Sequence, residues 1–360
     1  MNGASENLYT RLVRPFLFRF DAETTHRFTL AVLRSPLRRL LADSFNPPEL
    51  KTTVWDITFR NPIGLAAGAD KDARAPYAWE TLGFGFAELG TITPRAQAGN
   101  PAPRMWRLQA ERALINRLGF PGDGMEAVAP RVERVRARGL QLPLGLNFGP
   151  NKDTPAEKVA ADYAALTARL GATADFVVVN LSSPNTPGLR EWQAPERIRV
   201  IVDAVRAAPL TQPRRPPLLI KISPDLHPLM LREVCAAALD LGLDGIVATN
   251  TTIARDEAGV RTPYEGGLSG APLAACARRV IGAAYEHTHG RIPIVGVGGI
   301  ASAGDAYDHI RAGASLVELY TGFVYRGPRL VHTIKEGLMR LLTRDGFRSI
   351  SEAVGTATRP

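Results

Sequence analysis

Four short polar side chains, Asn180, Ser183, Asn185 and Thr186, fall within seven residues, directly after the Val-rich stretch 176–179. Pro184, Pro187 and Gly188 restrict the backbone that presents them. Amides and hydroxyls held this way can grip a planar polar substrate and supply a hydroxyl base. The same residues can also make a plain turn in which Ser and Asn bond their own backbone.

A loop of this kind needs a strand before it and a scaffold around it. Strand-like segments recur at 61–68, 86–93, 142–148, 175–181, 218–223, 244–250, 293–298 and 315–320, with amphipathic or Ala-rich stretches such as 155–170, 194–207, 228–241 and 272–287 between them. Eight alternating units without a change of composition predict an α/β fold, a (β/α)8 TIM barrel over residues 46–345. A doubly wound sheet is the alternative, and it needs fewer strands and a topological switch point. Barrel enzymes place their chemistry at the C-terminal ends of the strands. Those ends carry Ala67, Gly68 and Lys71, then Thr91, Asn147, the 180–188 loop, Lys221, Thr249 to Thr251, Gly298 with Gly299, and Tyr320 with Thr321. Any one of these can be an ordinary loop start; together they outline one rim.

The glycines imply a phosphate. Gly298 and Gly299 follow the seventh strand, Tyr320 and Thr321 end the eighth, and Ser269 and Gly270 stand in a Gly-rich loop at 266–270. Barrels bind phosphate groups at this location with backbone N–H donors. Residues 296–301 also fit G-x-G-x-x-A, with Glu318 about twenty residues beyond. In a dinucleotide-binding unit, however, the glycines follow the first strand, so a mononucleotide phosphate is the better expectation.

Composition narrows the classes. Hydrophobic content of 45% and charged content of 22% are globular values. Two cysteines, Cys235 and Cys276, suit a reducing compartment and cannot hold an iron–sulfur cluster. His227, His287, His289, His309 and His332 lie in loops or helix flanks without carboxylate or Cys partners at ligand spacing, so no metal site is expected. No apolar run is long enough to span a bilayer, and the first twenty residues lack a signal peptide's apolar core. The net charge of +9 is not arranged for nucleic acid: no long basic block or stacked-aromatic motif appears. Residues 1–42 hold seven arginines against three acids, which is +4 of the +9. They read as two helices with apolar stripes, the second capped by Asp21. Such a pair, spanning 1–45, can lie on an anionic membrane surface or pack as a hairpin on the barrel. Residues 346–360 read as a loosely held tail.

The blocks 61–71, 90–95, 115–120, 180–190, 249–252, 266–270 and 294–300 give the chain a specific resemblance. In unbroken order they resemble the dihydroorotate dehydrogenases of the membrane-associated, quinone-linked class. The resemblance implies FMN as cofactor and oxidation of dihydroorotate to orotate in pyrimidine biosynthesis. It places Ala67, Gly68, Lys71, Thr91, Asn147, Asn180, Lys221, Thr249, Ser269, Gly270, Gly298, Gly299, Tyr320 and Thr321 around the flavin. It places Lys71, Asn116, Leu118, Gly119, Phe120, Asn180, Asn185, Asn250 and Thr251 around the substrate, and Ser183 as the base, with Thr186 a relay partner. The residue types agree: asparagines can pair the N–H and C=O groups of a flat cyclic imide, and Lys71 can offset its carboxylate. Lys221 would stabilise negative charge on the reduced flavin.

Soluble relatives carry Cys where Ser183 stands and lack the leader, and one relies on an iron–sulfur partner. The resemblance therefore implies ubiquinone or menaquinone as acceptor, no iron–sulfur partner subunit, and a peripheral place on the cytoplasmic side of the inner membrane. Val13, Phe16, His26, Arg107 and Tyr320 would line the quinone tunnel. Leu17 departs from relatives that are polar there, leaving Arg107 as the main charged donor. Two competing expectations are another FMN barrel oxidoreductase, acting on dihydropyrimidine or dihydrouridine, and a non-catalytic barrel that binds a phosphate metabolite.

Overall fold

The computed structural model describes residues 8–210 and 215–358. Residues 1–7 of the expected leader and 359–360 of the expected tail lie outside the described residues. All eight expected strands form: β1 (Ile63–Leu65), β2 (Phe86–Ile92), β3 (Leu144–Phe148), β4 (Phe176–Asn180), β5 (Leu218–Ile222), β6 (Gly245–Ala248), β7 (Ile294–Val297) and β8 (Ala314–Leu319). They pair in parallel and close on themselves, with β8 beside β1 and β5 beside β6. Closure excludes the doubly wound sheet.

The two-residue repeat of a strand decides what fills the barrel. Phe86, Phe176, Val178, Leu219, Val247, Val295 and Leu316 form one apolar cluster with Val54 and Phe59. The latter two come from an antiparallel hairpin, Thr52–Val54 with Ile57–Phe59, which plugs the bottom. Gly64 makes room for this layer, since a Cβ there would sit 2.2 Å from Phe86 Cζ. Two residues further along, on the same inward parity, the side chains become Glu88, Asn180, Lys221, Thr249 and Glu318, all buried. The barrel is therefore apolar below and polar above.

Helices cover the outside in the usual way. Pro195–Ala207, for example, turns Ile198, Ile201, Val202 and Val205 onto the sheet. One element was not foreseen. A three-stranded antiparallel sheet joins Met105–Leu108, Ala113–Asn116 and Gly267–Gly270 above the rim. The expected 266–270 loop is in fact its edge, registered so that Gly267 faces Asn116.

The leader folds as Tyr9–Val13, Arg14–Leu17 and Ala22–Arg34. Asp21 caps the last, its carboxylate accepting from Thr24 N at 2.8 Å. The described part of the leader is pinned to the barrel: Tyr9 Oη donates to Val324 O at 2.7 Å, and Arg104 grips Glu23 through contacts of 2.6 and 2.8 Å. The C-terminal segment corrects the expectation of a loose tail. Ile350 and Ala353 are buried, and Gly355 N and Ala357 N donate to Ile310 O and Arg311 O. Apolar anchors spaced among small residues were too sparse to be read as packing.

Candidate active site

The polar layer opens upward into a cavity of about 150 Å³. Lys71, Asn116, Leu118, Gly119, Phe120, Asn180, Ser183, Asn185, Asn250 and Thr251 all line it. So do the residues expected around a flavin, except Asn147, which sits behind the wall and accepts from Thr91 Oγ1 at 2.5 Å and Asn180 Nδ2 at 3.2 Å.

The asparagines come from separate segments and are held by one another and by neighbouring hydroxyls. Asn185 Nδ2 donates to Asn116 Oδ1 at 3.2 Å, Asn250 Nδ2 to Ser182 Oγ at 3.0 Å, and Asn180 Nδ2 to Thr91 Oγ1 at 2.9 Å. Amides already cross-linked at one edge keep a second edge for a ligand. Ser183 is buried, and its Oγ accepts one long bond from Asn185 N at 3.3 Å. Its hydroxyl hydrogen is thus uncommitted. Thr186 Oγ1 is also buried and has no partner among the described residues.

Gly298 and Gly299 also line the cavity, with φ of 128° and 75°, a backbone conformation that favours glycine and so leaves no side chain over the peptide groups. Ser269 Oγ and Thr321 Oγ1 meet at 2.8 Å beside them. Beside Gly68 (φ 96°) a Cβ would meet nothing closer than Tyr320 Cε1 at 3.9 Å, so the cavity is open there. Hydroxyls, bare backbone and open space suit a phosphate and a flat ring system.

Two lysines face this cavity. Lys71 Nζ donates to Gly68 O at 2.8 Å, and burial lowers its pKa. Lys221 Nζ lies 2.9 Å from Glu88 Oε1 and 3.7 Å from Glu318 Oε2. Burial opposes its charge, yet the two carboxyl groups more than compensate and its pKa rises. Sequence reasoning missed Glu88 and weighed Glu318 only as the acid beyond a G-x-G-x-x-A match. Inward parity with Lys221 on neighbouring strands was the available signal. Arg190 was also given no role. It donates to Ser182 O at 3.1 Å, Thr251 O at 3.0 Å and Asp225 Oδ2 at 2.8 Å, tying the 180–188 loop to the end of β6.

A second cavity, of about 440 Å³, lies between the leader and the barrel. Val13, Leu17, His26, Arg107 and Tyr320 line it. Phe16, expected there, does not; it is 56% exposed and packs edge-on against Phe20 at 5.3 Å. A helical face that points at solvent cannot be told from one that points into a tunnel by periodicity alone. Arg107 Nη1 donates to Phe20 O at 2.7 Å and its guanidinium lies over the Phe18 ring at 4.6 Å. Tyr320 Oη is 3.3 Å from His26 Nδ1. Burial first, and the Lys71 charge second, push the His26 pKa down to about 3, so the ring is neutral. Met105, Leu114 and Tyr320 line both cavities and form a shared wall.

Two histidines correct the expectation of loop or flank positions without carboxylates. His309 is buried within Ala303–Arg311, and His332, within Leu330–Asp345, lies 3.0 Å from Asp43 Oδ1 and 3.4 Å from Glu336 Oε1. Among the described residues no group of three His, Cys, Asp or Glu side chains could hold a metal ion.

Comparison with known proteins gives the same direction throughout. The family model described as dihydroorotate dehydrogenase matches residues 49–342. A dihydroorotate dehydrogenase (quinone) of Roseiflexus sp. is 47% identical over 352 residues, covering 96% of this chain and 97% of that protein. One of Mycobacterium tuberculosis is 46% identical over 360 residues, covering 97% and 98%. A crystal structure of DHODH from Eimeria tenella in complex with ferulenol superposes with a TM-score of 0.90 at 39% identity, covering 97% of this chain and 99% of that one. The chain belongs to the dihydroorotate dehydrogenase family.

Proposed function

We propose that this chain oxidises dihydroorotate to orotate with FMN and passes the electrons to a membrane quinone, ubiquinone or menaquinone, within pyrimidine biosynthesis. The observation that carries this reading is the pair of cavities, one polar and one largely apolar, sharing the wall formed by Met105, Leu114 and Tyr320. FMN, when bound, supplies a hydride acceptor that can later give up its electrons to a quinone. Gly298, Gly299, Ser269 and Thr321 would hold its phosphate, and Gly68, Thr91, Lys221 and Thr249 its ring system.

The rest is the work of the chain's own side chains. The amides of Asn116, Asn180, Asn185 and Asn250 pair the polar edge of the substrate ring, while Lys71 offsets its carboxylate. Ser183 takes the ring proton while its own uncommitted hydroxyl hydrogen is released, and Thr186, three residues on, is the relay partner this reading assigns to carry it outward. A buried pocket strengthens each of these contacts. Arg107 can donate to a quinone carbonyl, and neutral His26 beside Tyr320 offers ring nitrogens for hydrogen bonding at the same wall.

Peripheral membrane attachment on the cytoplasmic side completes the reading. Leu8, Leu12, Phe16, Leu37 and Leu40 project from the leader, Leu40 being 83% exposed, among arginines suited to anionic head groups. Among the described residues no helix is long and apolar enough to cross a membrane. The purified protein should be yellow, and dihydroorotate should bleach it under anaerobic conditions with formation of orotate. A colourless protein, or a flavin that dihydroorotate leaves oxidised, would overturn the proposal.

A further inference from the structure

Beneath the polar cavity, two carboxyl groups share one cation. Glu88 from β2 and Glu318 from β8 are fully buried, and Lys221 from β5 is 4% exposed between them. Lys221 lies 2.9 Å from Glu88 and 3.7 Å from Glu318. Glu88 Oε1 also accepts from Asn147 Nδ2. By contrast, Glu88 Oε2 and both oxygens of Glu318 have no hydrogen-bond partner among the described residues. Were both acids ionised, the cluster would be an excess negative charge with three bare oxygens in the barrel core, an arrangement that burial penalises steeply. One proton on the pair removes the excess charge and leaves one fewer bare oxygen without a hydrogen.

We propose that Glu318 is held as a neutral acid, so that the Glu88, Lys221 and Glu318 cluster carries no net charge and thereby sets how strongly Lys221 favours reduction of the flavin. The link to reduction rests on the FMN reading; the charge state does not. Glu88 and Lys221 are the titratable groups that face Glu318, and burial, followed by repulsion from Glu88, raises its pKa well above the usual range. Lys221 alone would make the floor of the site cationic. Lys221 balanced by Glu88 favours a reduced, anionic ring less strongly, and an ionised Glu318 would reverse the field altogether. Glu318 is therefore a positioning residue that acts through Lys221.

The test compares Glu318→Gln, Glu88→Gln and the double variant in the full chain. Infrared spectroscopy of the purified protein at neutral pH should show a buried protonated carboxyl band. That band should vanish in Glu318→Gln, and also in Glu88→Gln, where Glu318 ionises to pair with Lys221. The folded protein holds this proton more tightly than the unfolded chain, so wild type should lose stability relative to Glu318→Gln as pH rises above the usual glutamate range. The ratio of folded to unfolded should change by about tenfold per pH unit. In the FMN-loaded protein, Glu318→Gln should leave the midpoint potential where it is, while the double variant, with Lys221 unopposed, should raise it. No carboxyl band in wild type, or a band that survives in Glu318→Gln, would overturn the charge assignment. A potential raised by Glu318→Gln alone would overturn the proposed balance. Should Glu318→Gln fail to fold, the wild-type band and its loss in Glu88→Gln still decide whether the pair holds one proton, and isotope-edited spectra of a Glu318→Asp variant, in which the band shifts only if residue 318 carries the proton, decide which acid holds it. A chain without flavin would defeat the functional reading and leave the infrared and stability results standing.

Discussion

Ser183→Ala separates chemistry from structure. The Ser183 hydroxyl is buried, but the hydrogen bond it accepts from Asn185 N, its one partner among the described residues, is long at 3.3 Å. Losing it costs about 1 kcal/mol at most, which in a chain of this size moves Tm by no more than about 2 °C. The pocket keeps its shape, because Asn185 is also held by Asn116 and the loop by Arg190. Removal of a positioned base, by contrast, slows the step it serves by about 10²–10⁴-fold, or about 2.7–5.4 kcal/mol of barrier. The two consequences differ enough to be told apart in one variant. Anaerobic stopped-flow reduction of the flavin by dihydroorotate should be slower by that factor, with orotate affinity and Tm nearly unchanged. Ser183→Cys should recover part of the rate with a lower pH optimum, since a thiol ionises more readily than a hydroxyl. Flavin reduction at the wild-type rate in Ser183→Ala would show that the proton leaves by another group.

Arg190→Ala removes the link between the Ser182 carbonyl, the Thr251 carbonyl and Asp225, whose side chain is 13% exposed. A loss of about 2–3 kcal/mol of stability is expected by denaturant titration, with flavin reduction slowed about 10²-fold by misplacement of the loop; unchanged kinetics would mean that the loop holds its own shape. Arg190→Lys should rescue little, because one ammonium cannot reach three acceptors set for a planar fork. Deleting residues 1–42 removes one wall of the larger cavity, whereas among the described residues none that lines the smaller one precedes Ala66. Reduction by dihydroorotate and turnover with a water-soluble acceptor should persist, while reoxidation by a long-chain quinone and salt-sensitive binding to anionic vesicles should fall steeply. Equal rates with membrane quinone in the truncated and full chains would make the leader a structural cap.

What was legible in the sequence followed from periodicity and from strand ends. Val177 to Asn180 or Leu218 to Lys221 announce a buried strand that turns polar at its tip, and repeated eight times this yields both the barrel and the rim. Asn180, Ser183, Asn185 and Asn250 were found because they stand at or just beyond those tips, whereas Asn116, on the sheet above the rim, came only from the resemblance. Glu88 and Glu318 were not, because they lie one inward position below the tips, and a charged residue inside a strand reads as exposed until its partner on another strand is known. Long-range pairings escaped for the same reason: Glu23 with Arg104 is 81 residues apart, and Arg190 with Thr251 is 61. The sheet that carries Asn116 and Ser269 pairs segments about 150 residues apart, and its glycine-rich edge has no strand signature. Phe16 and the C-terminal segment failed because amphipathic or small-residue patterns say that a face will be covered without saying by what.

The account stands on two substrates being served from opposite sides of one wall, and sequential-mixing stopped flow under anaerobic conditions tests that directly. Full-length protein mixed first with dihydroorotate should lose its flavin absorbance. A second mixing with a membrane quinone should restore it in a single turnover, with orotate and quinol formed in equal amounts. Bleaching that quinone cannot reverse, in a protein that a water-soluble acceptor does reoxidise, would contradict the assignment of the larger cavity to quinone.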